Sequence, residues 1–448
     1  MPDVRPFRGL RYNPSLAGDL TSLISPPYDV ISPSQQADLH RRSPYNAVRL
    51  ELSESRPGDT DRDNRYTRTA AAFQGWLKQG ILAREDDSAM YMVEESYSLK
   101  GAVQKRRGLM ACVRLEEFGR GSIFPHEHTT EGPKKDRLEL IKACNANFSP
   151  IMGLFPDADG SVQAILSRAT ASSPTAVTQP IEDGLAYHVW VLRDEATLSK
   201  LQDALEAKPV YIADGHHRYE TALKYRDSLK ERDKPASDNS AANFIMMSLI
   251  PLEDPGLLVM PYHRLLSGLS DREAKTLWSR IETMFHVEAV RLPSSSPEAV
   301  GEAVAARLAK TAKDEIAFGV FDTSRPEKAV ALLLKKQYAL PSSAPPLERC
   351  DSRYLSQAVL RPALSEVEGP VLGEAREKAC VSFVHDGAEA VESVQKGECQ
   401  MAILLKPLPM DLFQEVVSRG DRLPPKSTYF YPKLPTGLVF NHLAGEVG

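Results

Sequence analysis

The stretch PVYIADGHHRYETALKY, residues 209–225, constrains the fold more than any other segment of this chain. An apolar run ends at Asp214 and Gly215, and apolar residues at helical spacing follow directly. The side chains expected to face the core from that helix are Tyr219, Ala222 and Leu223. This pattern predicts a buried strand that turns into a helix, with the first helical turn at the carboxyl end of the strand.

The rest of the chain alternates strand and helix patterns, which predicts a mixed α/β protein. Two apolar runs joined by Lys100-Gly101 predict a long β-hairpin, so the sheet cannot be purely parallel. The segment YNAVRLELS alternates as a strand does. A second helix–strand rhythm then begins, and we expect an N-terminal domain over residues 1–268 and a C-terminal α/β domain over residues 269–448.

Composition excludes some classes of protein. Of 448 residues, 42% are hydrophobic and 26% charged, which is ordinary for a globular chain. The formal net charge of −5 argues against a constitutive nucleic-acid or membrane binder, which would normally carry a basic excess. We find no apolar run long enough to span a bilayer and no apolar core of a signal peptide near Met1. Five scattered cysteines suit free thiols, so we expect a cytoplasmic protein.

Three cationic or titratable side chains, His216, His217 and Arg218, occupy the predicted first helical turn. The free amides of that turn, the helix dipole and these side chains together favour a bound phosphate, and Gly215 would let a ligand approach the backbone closely. Asp214 is itself an anion and would repel phosphate, unless Mg²⁺ lies between them or Asp214 acts as a base toward a substrate hydroxyl. The alternative is an ordinary helix start whose histidines lie on the surface.

A second polar segment, PHEHTTEGPKKDRLELI, predicts a loop and the helix after it. Its candidate side chains are His126, Glu127, His128, Thr129, Lys134 and Arg137. Glu127 would supply a base for a substrate hydroxyl, while Lys134 and Arg137 would neutralise a transferring phosphoryl group. Alternatively the segment is a solvated loop, or His126 and His128 join a histidine of residues 209–225 in a metal site.

Two further segments contain candidate residues braced by prolines. In SPPYDVIS the prolines would hold Tyr28 and Asp29 in fixed positions, where Asp29 would bind an ammonium group or a metal; the alternative is a simple turn. In KSTYFYPK, Lys426 and Lys433 would clasp an anion from outside the first domain, or form only a basic surface loop. His263 follows an apolar strand and would face the same cleft.

Several segments together resemble the prokaryotic family known as domain of unknown function 1015. The resemblance extends nearly end to end through SPPYDVIS, PYNAVRLEL, HEHTTEGPKKDRL, NFSPI, DGHHRYETAL, PYHRLL and KSTYFYPKLPTGL. Within it, DGHHR is similar to the phosphate-binding turn of the ParB/sulfiredoxin-like fold, in the form found in free-serine kinases. The resemblance implies a ParB/sulfiredoxin-like core in the N-terminal domain, with nucleotide phosphates held at Gly215 and Arg218. It also favours functional roles for His126, Glu127 and Arg137.

Three functions are open on this basis. We expect first a nucleotide-dependent kinase of a small hydroxylated metabolite such as free serine, using Mg²⁺ with ATP, ADP or CTP. The second is a nucleotide-binding regulatory switch without turnover. The third, a ParB-like DNA-binding protein or nuclease, is disfavoured by the acidic balance and by the lack of a recognisable helix-turn-helix. The expected partners are a nucleotide and a small-molecule substrate, and the oligomeric state, a homodimer included, stays open.

The predicted site residues follow from the first hypothesis. Catalytic roles are assigned to Asp214, Glu127 and His126, with Asp214 also a metal ligand. The residues expected to contact the nucleotide are Gly215, His216, His217, Arg218, Arg137, Lys134 and Lys426. The residues expected to contact the substrate are Asp29, Tyr28, Thr129 and His263.

Overall fold

A computed structural model gives the structure of the chain and describes residues 1–181, 184–230, 237–325, 328–341, 343–368 and 373–448. By its internal contacts the chain divides into two compact units. The first unit contains Met1–Leu258 together with Pro432–Gly448, and the second contains Val259–Tyr431. From the sequence we expected one boundary, after residue 268, with the last residues in the C-terminal domain. The tail belongs with the first unit because Asn441 pairs with Asn147 across two short strands.

Both units contain strands and helices among the described residues. The strands are β1 (Val4–Arg5), β2 (Leu10–Tyr12), β3 (Leu82–Arg84), β4 (Met90–Leu99), β5 (Ala102–Arg114), β6 (Ile123–Pro125), β7 (Ala146–Asn147), β8 (Ile151–Phe155), β9 (Ala176–Val177), β10 (Ala186–Leu192), β11 (Val210–Asp214), β12 (Phe244–Pro251), β13 (Leu258–Met260), β14 (His263–Leu266), β15 (Phe285–Ala289), β16 (Ala317–Phe321), β17 (Ala329–Leu334), β18 (Val381–Val384), β19 (Met401–Leu405), β20 (Tyr429–Tyr431) and β21 (Asn441–His442). The helices are α1 (Pro14–Ala17), α2 (Leu20–Leu23), α3 (Pro33–Arg42), α4 (Val48–Glu51), α5 (Arg65–Lys78), α6 (Glu131–Cys144), α7 (Ser161–Ala169), α8 (Glu195–Glu206), α9 (His216–Lys230), α10 (Asp271–Met284), α11 (Pro297–Leu308), α12 (Asp351–Tyr354), α13 (Arg361–Glu368), α14 (Gly373–Cys380), α15 (Gly387–Gln395) and α16 (Met410–Ser418).

The first unit is built on a mixed sheet with the strand order β6-β11-β8-β12-β5-β4-β10-β9, and β1 pairs with β5 beside this path. β11 runs parallel to β6 and antiparallel to β8, whereas β4 and β5 form an antiparallel hairpin. The predicted hairpin turn is confirmed, since Lys100 and Gly101 both adopt positive φ between Leu99 and Ala102. The mixed α/β class predicted from the alternation is therefore confirmed.

The strand-to-helix unit at residues 210–230 is also confirmed. Val210 and Ile212 of β11 lie in the same buried core cluster as Tyr219, Ala222 and Leu223 of α9. Burial of the alternate strand residues and of one helical stripe fixes the direction of α9 relative to the sheet. The first turn of α9 is consequently held at the carboxyl end of β11.

The strand predicted for YNAVRLELS is wrong, because the structure has the helical turn α4 there. The side chain of Asn46 accepts a hydrogen bond from the Val48 amide at 3.0 Å and donates to the Ser22 carbonyl at 2.8 Å. This local hydrogen bonding starts a helical turn, which an alternating pattern cannot reveal. Val48, Leu50 and Glu51 are all buried as a result.

The second unit contains a six-stranded sheet in the order β15-β17-β16-β19-β14-β18, and every strand pairing in it is antiparallel. Helices α11 and α15 pack on it through Val300, Val304 and Val391.

The five cysteines are free and buried. None of the helices in the described ranges is long and apolar enough to cross a membrane.

Candidate active site at the start of α9

Gly215 forms the corner between β11 and α9 and has a φ of +95°. A Cβ atom at this position would lie 3.0 Å from both Nε and Nη2 of Arg218. We expected the missing side chain to admit a ligand, but the space is filled by the guanidinium of Arg218. Glycine is required here both for the left-handed backbone and for this close approach.

Arg218 therefore turns back over the corner and is held by the protein. Its Nη2 donates to Oδ2 of Asp214 at 2.7 Å, and its Nη1 donates to the Pro150 carbonyl at 2.6 Å. The side chain is only 9% exposed. Its Nε is buried and has no hydrogen-bond partner within the described residues. Arg218 is thus a fixed positive charge rather than a mobile surface group.

Asp214 receives a second cation from the far end of the chain. Oδ1 of Asp214 accepts a hydrogen bond from Nζ of Lys433, which is 14% exposed. Burial alone would raise the pKa of Asp214, but the charges of Lys433 and Arg218 hold it below its usual range. The two cations outnumber this one carboxylate, so they offset the predicted repulsion between Asp214 and a phosphate without a metal ion.

Replacing Gly215 by alanine should lower the free energy of unfolding by about 1–3 kcal/mol, the cost of a strained backbone conformation, and should also displace Arg218. Chemical denaturation of the purified variant measures this loss. Gly160, which also has a positive φ but no atom within 4 Å of its would-be Cβ, provides the control. An equal loss in both alanine variants would contradict a specific packing role for Gly215.

His216 and His126 lie side by side next to this corner, with ring centroids 4.6 Å apart. Because Pro125 pairs with Ile212 across β6 and β11, His126 falls beside the end of β11. Its Nδ1 is 2.7 Å from the Ile212 carbonyl, so that nitrogen carries a proton. Burial and the neighbouring His216 lower the pKa of His126 to about 4. This histidine is therefore neutral near pH 7 and joins the two strands.

Glu127 is the most accessible carboxylate in contact with His216. The backbone amide of His126 donates to Nε2 of His216 at 3.2 Å, so Nε2 is an acceptor and the other ring nitrogen, Nδ1, faces Oε1 of Glu127 at 3.4 Å. The side chain of Glu127 is 34% exposed. Burial raises the pKa of Glu127, but the contact with His216 outweighs it and lowers the pKa to about 2. Glu127 is ionised and open to solvent.

Because the pKa of Asp214 is lowered, we expect the free energy of unfolding to depend on pH in the acidic range. A depressed pKa means that folding favours the ionised form, so its stabilisation is complete above the ordinary value of 3.8 and is lost as pH falls further, through the folded-state pKa. The free energy of unfolding of the wild type should therefore fall more steeply below pH 4 than that of Asp214→Asn. Urea titrations between pH 2.5 and 7 test this. The exposed Asp61→Asn should keep the wild-type slope.

Tyr28 and Asp29 lie near the same charges, on a short 3₁₀ turn, Tyr28–Val30. The guanidinium of Arg137 stacks 4.1 Å from the centre of the Tyr28 ring. Asp29 is exposed, yet surrounding protein raises its pKa, as does the negative charge of Asp214. Asp29 is therefore exposed but close enough to Asp214, Arg218 and Lys433 to interact with their charges.

Two predicted residues, Thr129 of the loop and Lys134 of α6, are paired with the same acid. Thr129 donates to Oε2 of Glu220 at 2.8 Å, and Lys134 lies 3.2 Å from the same oxygen. His217 accepts a hydrogen bond from the Thr130 amide at 3.0 Å. These contacts join the loop to α9, so the structure brings this segment to the side of the helix rather than to Asp214.

Arg137 reaches a buried acid that sequence analysis did not single out. Its Nη1 donates to the Glu51 backbone carbonyl at 2.9 Å and lies 3.3 Å from the Glu51 carboxylate. Ser149 donates to the same carboxylate at 2.8 Å. Glu51 and Arg137 line a pocket with Arg218. No sequence signal would have separated Glu51 from an ordinary polar residue of the predicted strand, because its partners are distant in the chain.

Two predicted residues belong to the second unit and stay predictions as site residues. His263 is buried in β14, where its Nδ1 accepts a hydrogen bond from the Leu405 amide at 3.2 Å, and burial lowers its pKa to about 4. Lys426 places its Nζ 5.0 Å from the centre of the Tyr262 ring. Within the described residues, no three histidine, cysteine or acidic side chains are grouped so as to hold a metal ion.

The fold and this corner define a mixed α/β protein with a positively charged strand–helix junction. The chain belongs to the family described as Protein of unknown function (DUF1015), whose model matches residues 4–353. The resemblance inferred from the motifs is confirmed by this match. No match was found among curated proteins.

Several solved structures are distantly similar. A conserved hypothetical protein from Pyrococcus furiosus is 17% identical, with 70% of this chain and 90% of that chain covered and a TM-score of 0.33. A variant of free serine kinase in complex with AMP is 15% identical, with 71% and 89% covered and a TM-score of 0.34. SbnI from Staphylococcus aureus, truncated at its C-terminus, is 11% identical, with 73% and 87% covered and a TM-score of 0.33. Such scores are too low to transfer a ligand or a reaction to this chain.

Proposed function

We propose that the first unit binds the phosphates of a nucleotide at the start of α9 and transfers a phosphoryl group to a small hydroxylated metabolite. The observation that supports this most directly is the cluster of Asp214, Arg218 and Lys433. It supplies a fixed net positive charge beside the free amides and positive dipole of a 15-residue helix. Phosphoryl transfer depends mainly on positioning and on stabilising charge, which such a cluster provides.

Glu127 is a better candidate than Asp214 for the group that accepts the proton of the substrate hydroxyl. Both oxygens of Asp214 are bound by cations, whereas the carboxylate of Glu127 is partly exposed and lies 3.4 Å from His216. His216 would orient this carboxylate toward the substrate. Asp214 would instead hold Arg218 and Lys433 in place, so its role becomes positioning rather than proton transfer.

The exposed carboxylate of Asp29 would bind an ammonium group of the metabolite, consistent with an amino alcohol or hydroxy amino acid such as free serine. The nucleotide would be ATP, ADP or CTP. A Mg²⁺ ion bound directly to Asp214 does not fit, because the cations of Arg218 and Lys433 already occupy its oxygens. Any magnesium would have to arrive with the nucleotide phosphates.

Replacing Lys433 by methionine should weaken nucleotide binding by about 10- to 150-fold, because one charge-assisted hydrogen bond contributes about 1.5–3 kcal/mol. Titration calorimetry with ATP, ADP and CTP gives the affinities. Lys208→Met is the matched control, since Lys208 is equally exposed at 14% and also pairs with aspartates. Unchanged nucleotide affinity in a folded Lys433→Met protein would refute the proposed site.

Turnover is tested separately by incubating the wild type with a nucleotide and a mixture of hydroxylated metabolites. Appearance of a phosphorylated product that requires Glu127 supports the phosphotransferase. Tight nucleotide binding without any product would instead favour the regulatory switch, which needs the same phosphate-binding site but no catalytic base.

A further inference from the structure

The second unit has a pocket of its own at the carboxyl end of β19. The chain leaves that strand through Lys406-Pro407-Leu408-Pro409 and enters α16 at Met410. Proline fixes φ at two of these four positions, so the loop has little freedom to collapse into the space beside it. The polar residues that line the pocket are Lys313, Arg349, Asp351, Ser352, Lys406 and Ser427.

The charges that line this pocket are unequal, with three cations and one carboxyl group. Lys406 is 12% exposed, and its ammonium is fixed by the carbonyls of Ala312 and Glu315, neutral groups that leave its charge uncancelled. The nearest acid, Asp351, lies 3.9 Å from that ammonium. Burial raises the pKa of Asp351 to about 7, which leaves this side chain only partly ionised near neutral pH.

Arg349 adds a hydrogen-bond donor that the protein does not use. One end of its guanidinium pairs with Glu415, but its Nε is buried and has no partner among the described residues. Glu415 also pairs with Arg419 at 3.3 Å, so a single carboxylate serves two guanidinium groups. A buried N–H without an acceptor costs free energy that a bound anion would recover.

The remaining walls of the pocket indicate the type of ligand. Ser427 donates to the Pro424 carbonyl at 2.7 Å and lies 2.9 Å from the hydroxyl of Ser352, so this pair stabilises one wall and leaves Nε of Arg349 as the unused donor. Leu405, Leu408 and Leu412 form an apolar side. A compact anion attached to a small organic body matches cations on one side and leucines on the other.

We propose that this pocket is a second anion site, which binds the phosphate group of a small phosphomonoester at Lys313, Arg349 and Lys406. The site lies wholly within the second unit and does not depend on the function proposed for the first. Arg349 would donate from Nε, Lys313 would close over the phosphate from the surface, and Lys406 would contribute its fixed charge.

Titration calorimetry of the full chain with inorganic phosphate and with glycerol 3-phosphate tests this. Arg349→Gln should weaken binding at least tenfold and the exposed Lys313→Ala at least threefold, with melting curves showing that each variant is folded. Lys310→Ala, at an exposed lysine outside the pocket, should bind as the wild type does. Lys433→Met should retain this binding, because that residue belongs to the first unit.

In the Lys433→Met background, where the first site is impaired, phosphate binding that survives both Arg349→Gln and Lys313→Ala would overturn the second site, as would the absence of any binding to the folded wild type. Binding that is lost only in Lys433→Met would assign the phosphate to the first unit and would equally contradict this proposal. If Lys433→Met does not affect nucleotide binding, only the proposal for the first site is contradicted. The two proposals can therefore be refuted independently.

Discussion

Substituting glutamine for Glu127 should lower the rate of phosphoryl transfer by about 10²–10⁴-fold, the range that a positioned general base contributes. Nucleotide affinity should change little, because the proposed phosphate site consists of Lys433 and the amides of α9 beside the fixed charge of Arg218. Glutamine keeps the shape of the side chain and the contact distance to His216 but cannot accept a proton. Steady-state kinetics with separate determination of kcat and KM measures the effect.

The matched control for this variant is Glu131→Gln. Glu131 lies a few residues along the chain and is largely exposed, and it pairs with Lys134 rather than with His216. Its substitution should leave turnover within about twofold of the wild type. Equal activity of Glu127→Gln and wild type would assign the base elsewhere, whereas a loss of nucleotide binding in Glu127→Gln would mean that the carboxylate shapes the phosphate seat.

Truncating Arg218 to alanine should lower the free energy of unfolding by about 3–5 kcal/mol, the cost of breaking a buried ion pair. The sequence alone favoured a ligand group whose loss spares folding. The structure changes that expectation, because the guanidinium is bonded to the Pro150 carbonyl and to Asp214 and is nearly inaccessible. Its removal leaves Asp214 with Lys433 as its remaining cation.

Arg226 on the same helix provides the comparison. It has similar exposure, but its acidic partners Glu117 and Asp227 are both about half exposed and can be solvated when the arginine is lost. Arg226→Ala should therefore cost less than half as much in urea denaturation. Arg218→Lys should be more stable than Arg218→Ala because it keeps the positive charge. It should be less stable than the wild type because an ammonium group cannot reproduce the two directed hydrogen bonds of the guanidinium. If Arg218→Ala unfolds at the wild-type denaturant concentration, the buried pair is not structural.

Local patterns predicted those parts of the fold in which neighbouring residues determine the structure. The β11–α9 unit and the β4–β5 hairpin follow from periodicity and from a turn that tolerates positive φ, and both are present. The segment at Val48 failed because the side chain of Asn46 redirects the backbone, an interaction that hydrophobic alternation does not register. Hydrophobic patterning predicts helices and strands well where burial alone determines the backbone conformation. It predicts them less well where the hydrogen bonds of one polar side chain determine it.

The candidate site was predictable in its position but not in its electrostatics. The DGHHR turn identified Asp214 and Arg218, and the tail segment identified Lys433 as a cation. Asp214 and Lys433 pair although they are 219 positions apart in the chain, and no spacing rule connects such residues. The same holds for Glu51 and Arg137, which are 86 positions apart. Sequence therefore indicated the residue types, whereas the fold determines which charges cancel and which remain.

The central claim is that the start of α9, with Arg218 and Lys433 fixed on Asp214, holds the phosphates of a nucleotide. A crystal structure of the full chain with a non-hydrolysable ATP analogue tests it most directly. We predict a phosphate oxygen within hydrogen-bonding distance of the backbone amide of His216 or His217 and of Nζ of Lys433. A nucleotide bound elsewhere, with Lys433 still on Asp214 and no phosphate at the helix start, would contradict the claim.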